Sequence, residues 1–451
     1  MRLSNRLVLI TATALLTGTV AAVRADDGID SKVDSALRKE LLNKIAVELE
    51  SKYVIPETAR KLAALLRAKQ KANAYKNITS KLQLARALTD DMFTVAHDQH
   101  LAVNISFARL PAGPADVPSA QELERMRKEN GAISKLEVLD GNVGYLCVNG
   151  LPSVEGAGPA IAAAFAFLHN TDALIIDNRY NNGGDANTAI LYESYLSEGS
   201  PHLAFSFHYR EGNRVKEFWT TDLGKLAYGA RKPVFVLTSS RTFSGGEGVA
   251  YNLQALKRAV IVGETTAGGA TSPLHIDLAH DFALALPVAT GVNPITGTSW
   301  EEVGVKPDVP VDASGALNKA QTLAIEKLRA SAANDEERSD FDSILMKLQS
   351  IEEAASASTV RLSNADVVGS YVPAFGIGTT VVIFEKDGEL MWHVDGLQER
   401  ALIFLGGNRY ARKGLPSGFT ISFRAKSDKT ELLMEDPIRP SVIRVKQTPR
   451  E

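Results

Sequence analysis

Ser244 lies in Thr242-Phe243-Ser244-Gly245-Gly246-Glu247, shortly after the apolar run Pro233 to Thr238. That run reads as a strand, and Gly245 to Lys257 reads as a helix. A serine at a strand–turn–helix junction projects its hydroxyl from the carboxyl end of a sheet. The amide of Gly245 then lies free at a helix start, where it can donate to an oxyanion. The same letters fit a plain capping box, with Ser244 at the N-cap and Glu247 at N3. From this segment alone both readings stand.

A second stretch, Asp177-Asn178-Arg179-Tyr180-Asn181-Asn182-Gly183-Gly184-Asp185, follows a buried-looking strand and precedes a helix. Its paired glycines let the backbone approach a ligand and turn N–H groups toward an anion, or they serve a plain β-to-α turn. No Gly-Lys-Ser/Thr follows them, which excludes a phosphate loop. A serine nucleophile also needs a base and a group to orient it. His97 and His100 stand in Ala96-His97-Asp98-Gln99-His100-Leu101, and Glu301 stands in Trp300-Glu301-Glu302-Val303-Gly304. The His-x-x-His spacing lacks the intervening glutamate and the third ligand of a zinc site, so no metal is expected. His169, His202, His208, His275, His280 and His393 are scattered singly and read as surface or core residues. Taken alone, Glu301 also reads as a solvated loop glutamate.

The elements that must position these groups are an alternation of strands and helices. Val143 to Val148, Ala173 to Asp177, Pro233 to Thr238 and Ala259 to Val262 read as strands, and Gly156 to His169, Ala186 to Ser197 and Gly245 to Lys257 as helices. That alternation predicts an α/β layer with largely parallel strands. Before it, from Val33 to Val95, Leu37, Leu41, Ile45 and Leu49 recur at helical spacing, as do Leu62, Leu65 and Leu66, with Pro56 breaking the run. Ala108 to Ser119 is rich in Pro and Ala and reads as a linker. After the core come a helical stretch over 315–358 and a tail of short alternating segments punctuated by Asp387-Gly388, Gly406-Gly407 and Ser417-Gly418. The expected organisation is therefore a leader at 1–25, a helical domain at 26–108, a linker and helix at 109–135, an α/β core at 136–314, a helical connector at 315–358 and a β-rich domain at 359–451.

The composition agrees with a globular chain of several units: 451 residues, 45% hydrophobic and 23% charged. Fifty Lys and Arg against 53 Asp and Glu leave a net charge of -3, with no basic excess for a nucleic-acid partner. The single cysteine, Cys147, excludes a disulfide scaffold. Arg2 and Arg6, an uncharged run from Leu7 to Leu16, and Val23-Arg24-Ala25 have the layout of a cleavable export signal. The run is shorter than the ~20 apolar residues that span a bilayer, so an exported protein, periplasmic or secreted and without stable membrane insertion, is expected.

In order, these segments resemble the serine peptidases that include the tail-specific (C-terminal-processing) proteases, the tricorn core protease and interphotoreceptor retinoid-binding protein. The motifs are Tyr53-Val54-Ile55-Pro56, Asp98-Gln99-His100-Leu101, Gly141 to Leu146, the Asp177-to-Gly184 turn, Thr242-Phe243-Ser244, Gly263-Glu264-Thr265-Thr266 and Trp300-Glu301-x-x-Gly304-Val305-x-Pro307-Asp308. The resemblance implies an α/β fold with a ClpP/crotonase-like core, an N-terminal helical domain and a small C-terminal β-rich domain. It also implies acyl-transfer chemistry on peptides or unfolded protein segments, without a cofactor. Ser244 would be the nucleophile, and Gly245, Gly183 and Gly184 would supply oxyanion donors.

Tail-specific members take their base from a lysine in a Gly-Lys-Gly stretch beyond the serine. Here that stretch is Gly268-Gly269-Ala270, and Lys257 lies too near Ser244 on the same helix to replace it. Tricorn-type members use a histidine, which points to His100 as base and to Glu301 as the group that orients or stabilises it. An imidazole, with a pKa of ~6.5, suits that work. The stretch from Ala108 to Leu136 is too short for the PDZ domain of tail-specific proteases, so C-terminus capture by strand addition is not expected. The layout is nearer the retinoid-binding branch. This leaves two rival readings, a non-catalytic carrier of apolar ligands and an esterase or amidase, and a homo-oligomer is compatible with all three.

Overall fold

The structure is a computed structural model that describes residues 33–105, 118–357, 362–373, 379–394, 399–406, 408–413, 420–426, 429–436 and 439–447. The export-signal segment and most of the Pro/Ala-rich stretch lie outside the described residues. Among the described residues, no helix is long and apolar enough to cross a membrane.

Three helices open the chain, Ser35–Lys52, Pro56–Lys71 and Lys81–Ala96. Asp34 caps the first by accepting from the Leu37 amide, and Ser80 caps the third by accepting from Gln83. Pro56 starts the second helix, at a first-turn position where its missing N–H costs nothing. Leu41, Ile45, Leu49, Leu62 and Leu66 are wholly buried. They share one core with Leu278, Phe282, Leu284 and Leu286 of a long hairpin.

That hairpin belongs to an antiparallel five-stranded sheet that the sequence reading did not anticipate. Thr271–Ala279 runs along one side of Phe282–Val292, and the other side is shared by Ala102–Ile105 and Leu203–Tyr209, with Val215–Trp219 at the edge. Pro273, Pro287 and Gly291 interrupt the alternation that would have revealed these strands. The sheet matters for the site because Ala102–Ile105 begins two residues after His100, and Thr271 begins the hairpin.

The core sheet has six strands in the order Val309–Pro310, Val260–Gly263, Val234–Thr238, Ala173–Asp177, Val143–Val148, Ile133–Leu139, all parallel except the last. The three central strands are buried at every residue, as a parallel sheet covered on both faces requires. Helices Val154–Leu168, Ala186–Leu196 and Gly245–Ala255 cover one face. Ala316–Ala330 and Asp335–Ala357 cover the other. The expected α/β core, helical lead-in and β-rich tail are all present.

The tail is a closed barrel of eight strands, from Gly369–Pro373 to Arg439–Lys446, sealed by the pairing of Tyr371 with Lys446. Asp387 and Gly388 both take positive φ and make a two-residue hairpin turn. Side chains such as Tyr371, Ile421 and Leu432 fill the interior. Arg409 reaches Glu264 of the core at 3.4 Å, and Arg400 reaches Asp90 of the helical layer at 3.6 Å.

Candidate active site

Ser244 lies between the end of Val234–Thr238 and the helix Gly245–Ala255, with φ 54° and ψ -124°. Few non-glycine residues adopt that conformation, and it marks a sharp elbow that lifts the side chain clear of the turn. Its amide donates to Glu247 Oε2 at 2.8 Å, so the glutamate half of the capping box is formed. The hydroxyl is elsewhere: Oγ lies 3.0 Å from His100 Nε2. Two residues 144 apart in sequence thus meet at hydrogen-bond distance.

The imidazole is held on three sides. Its ring stacks on Phe243 with centroids 4.5 Å apart. Nδ1 lies 3.1 Å from the Thr271 hydroxyl, which in turn lies 3.1 and 3.2 Å from the two oxygens of Asp98. Asp98 itself is 3.9 Å from Nδ1, too far for a direct bond, so Thr271 is the bridge. Asp98 also accepts from the His100 amide at 2.9 Å and from the Tyr53 phenol at 3.3 Å. Burial, and then His275, pull the His100 pKa down to about 4, so the ring is neutral at ordinary pH.

Glu301 does not touch the imidazole. Its Oε2 accepts from the amides of Ala270 and of Thr271, the latter at 3.0 Å, while Oε1 is buried with no partner among the described residues. Burial, and then the Asp98 charge, push its pKa up to about 8. A proton on Oε1 fits both facts. The carboxylate nearest the histidine is therefore Asp98, and Glu301 reaches it only through the backbone that carries Thr271.

The two turns are locked together. Phe243 N–H donates to Asn181 O at 2.9 Å, and the Thr242 hydroxyl to Asn178 O at 2.8 Å. The three glycines fare differently. Gly183 N–H donates to Asn181 Oδ1 at 2.9 Å and is spoken for. The amides of Gly184 and Gly245 have no acceptor among the described residues, and both border the cavity that Ser244 faces. Gly184 must be glycine, since φ is 137° and a Cβ there would lie 2.1 Å from Leu151 O.

That cavity encloses about 300 Å³. Phe205, Phe207, Phe218 and Trp300 supply its apolar walls, with Lys216 and Asp185 also in its lining. The missing lysine also has a physical counterpart. A Cβ at Gly269 would lie 2.2 Å from Phe243 and 2.9 Å from His100 Cε1, so the imidazole and its stacking partner fill that space. Lys257 lies beyond the far end of the serine's helix. His97 ends Lys81–Ala96 in a left-handed conformation and packs edge-on against exposed Phe93, apart from the site. Among the described residues, no cluster of three or more His, Cys, Asp or Glu could hold a metal.

Sequence reasoning gave no catalytic part to three residues that the fold gathers around Ser244 and His100. Asp98 stood in the quoted motif, and Glu247 showed a capping signal. Thr271 gave no signal at all.

Residues 142–311 match the model of Peptidase family S41, and residues 34–132 match the N-terminal domain of Peptidase_S41 in eukaryotic IRBP. The chain is 31% identical over 181 residues to a carboxy-terminal-processing protease of Bartonella bacilliformis, a match covering 39% of this chain and 40% of that protein. It is 29% identical over 163 residues to the chloroplastic carboxyl-terminal-processing peptidase 2 of Arabidopsis thaliana, covering 36% and 30%. The matches thus span less than half the length of either relative. A solved lipoprotein from Streptococcus agalactiae superposes with a TM-score of 0.43 at 16% identity, covering 64% of this chain and 96% of that one. With a helical lead-in and a core that each match in their expected order, the chain belongs to peptidase family S41.

Proposed function

We propose that the protein is an exported serine peptidase that cleaves peptides or unfolded protein segments through an acyl-enzyme. The observation that carries this reading is the 3.0 Å approach of Ser244 Oγ to His100 Nε2 beside two unclaimed amides. The Ser244 hydroxyl donates to Nε2, leaving Nδ1–H to donate to Thr271 Oγ1, whose own proton points to Asp98. Every hydrogen bond in that chain runs one way, which selects the tautomer with a basic nitrogen facing the serine.

As Oγ attacks the carbonyl carbon, His100 takes its proton and the carbonyl oxygen becomes an anion. Gly184 and Gly245 N–H donate to that oxygen, aided by the partial positive charge of the helix start. The tetrahedral intermediate collapses as the imidazolium protonates the leaving amine, and the acyl-serine remains. Water, deprotonated by His100, hydrolyses the ester and restores the serine. General-base catalysis of this type contributes ~10²–10⁴-fold, and each oxyanion donor ~10²–10³-fold.

Phe205, Phe207, Phe218 and Trp300 suit an apolar side chain next to the scissile bond. Residues 1–25 supply the export signal, and their removal frees the mature chain outside the cytoplasm. A fluorophosphonate probe tests the reading. Labelling at Ser244 together with turnover of an unfolded protein supports it. Labelling with turnover of esters alone makes the protein an esterase. No labelling beside retention of a lipid makes it a carrier.

A further inference from the structure

Two carboxylates, Glu247 buried and Glu301 half-buried, divide four consecutive amides between them. Glu247 Oε1 accepts from Gly268 N–H at 2.6 Å and from the Thr266 hydroxyl at 2.6 Å. Its Oε2 accepts from Gly269 N–H at 2.9 Å and from Ser244 N–H at 2.8 Å. Glu301 then takes the amides of Ala270 and Thr271. The segment leaving the core sheet for the Thr271–Ala279 hairpin is thus clamped residue by residue, and one jaw of the clamp also holds the nucleophile's own amide.

A helix cap does not require this. Glu122 meets the same capping need at Ser119 from a half-buried position, with bonds to Ser119 only among the described residues. Glu247 is wholly buried, which is unfavourable for a carboxylate unless donors surround it. All four of its contacts are donors, so a proton on either oxygen would oppose an N–H or O–H. The anion makes all four bonds, and protonation displaces at least one of them. Gly269, one of the residues it holds, packs against the ring carbon His100 Cε1 and against Phe243.

We propose that Glu247 is a positioning residue for hydrolysis: its ionised carboxylate fixes the Ser244 elbow relative to the strand that carries Thr271, and so sets the distance from Oγ to the imidazole. The inference rests on the Ser244–His100 reading. It assigns Glu247 no contact with substrate.

Glu247→Gln keeps the volume but turns an NH₂ toward two of the four donors. The expected result is a kcat lower by ~10²-fold or more with KM within ~3-fold, and a matching fall in the rate of fluorophosphonate inactivation. Wild-type kcat in a folded Glu247→Gln protein overturns the inference. If that variant does not fold, Thr266→Val decides: it removes one donor to Oε1 and should lower kcat several-fold at unchanged KM, with Thr266→Ser restoring it. Wild-type kcat in Thr266→Val then overturns the inference. Ser244→Ala run alongside separates the two levels, because hydrolysis surviving in that variant defeats the serine reading itself.

Discussion

Thr271 Oγ1 lies 3.1 Å from His100 Nδ1, and so a hydroxyl stands where a carboxylate would directly face the imidazole in a Ser-His-Asp triad. A hydroxyl can accept from Nδ1–H only if its own proton goes elsewhere, and Asp98 is there to take it. Thr271→Val removes that acceptor at nearly constant volume. We expect kcat to fall by ~10–10²-fold, KM to hold, and Thr271→Ser to recover most of the loss. Steady-state kinetics on one peptide substrate measure this, and an unchanged kcat in the valine variant would mean that Asp98 acts by another route.

Ser244→Ala and His100→Ala should each reduce peptide hydrolysis by ~10³-fold or more, because the two groups act as a unit. Melting temperature and circular dichroism should stay near wild type, since neither side chain fills the main core. A His100→Ala protein with substantial activity would place the base elsewhere.

Glu301 and Glu247 differ in what their surroundings accept. Glu301 has one oxygen free to carry a proton, so Glu301→Gln mimics its protonated state and should keep activity within a few-fold. Glu301→Ala, which abandons the amides of Ala270 and Thr271, should cost ~10-fold or more. Equal losses in both variants would show that the charge itself is needed.

The pH profile should follow a glutamate rather than the histidine. Burial holds the His100 pKa down to about 4, whereas it pushes Glu247 up to about 7 against its four hydrogen bonds. Activity should therefore fall as pH drops through the region near 7, when Glu247 takes up a proton and gives up a bond that holds the Ser244 elbow. An acid limb centred near 4 would instead assign the loss to the imidazole. Stability should move the opposite way. Glu247 and Glu301 both bind protons more tightly folded than unfolded, so their contribution is fully present below the ordinary carboxylate value of 4.5. It is lost as pH rises through about 7 and about 8. Melting curves across that range, with Glu301→Gln flattening the upper part, measure it.

Phe207 is half-buried, makes edge contacts with Phe205 and Phe218, and lines the cavity beside Ser244. Phe207→Ala should shift preference toward larger apolar side chains by ~10-fold in kcat/KM. A peptide library varied at one position reads this directly, and an unaltered preference would remove the cavity from substrate recognition.

The parallel core was readable because its buried strands are unbroken apolar runs separated by helical periods. The antiparallel sheet was not, since its longest hairpin carries Pro273, Pro287 and Gly291, and its pairing joins residues far apart in sequence. The same distance hid Thr271: no spacing relates it to His100, and only folding makes them neighbours. Gly183 shows the opposite error. The resemblance implied an oxyanion donor there, but Asn181, from the same turn, accepts that amide, while those of Gly184 and Gly245 have no acceptor among the described residues. Glu247 was visible as a cap and nothing more, because depth of burial is not written in a four-residue pattern.

Ser244 and His100, the proposed nucleophile and base, come from opposite ends of a 144-residue interval. An emerging or half-threaded polypeptide that has completed only one of the two stretches lacks the proposed pair. On the proposed reading, hydrolysis is thereby withheld until tertiary assembly is finished.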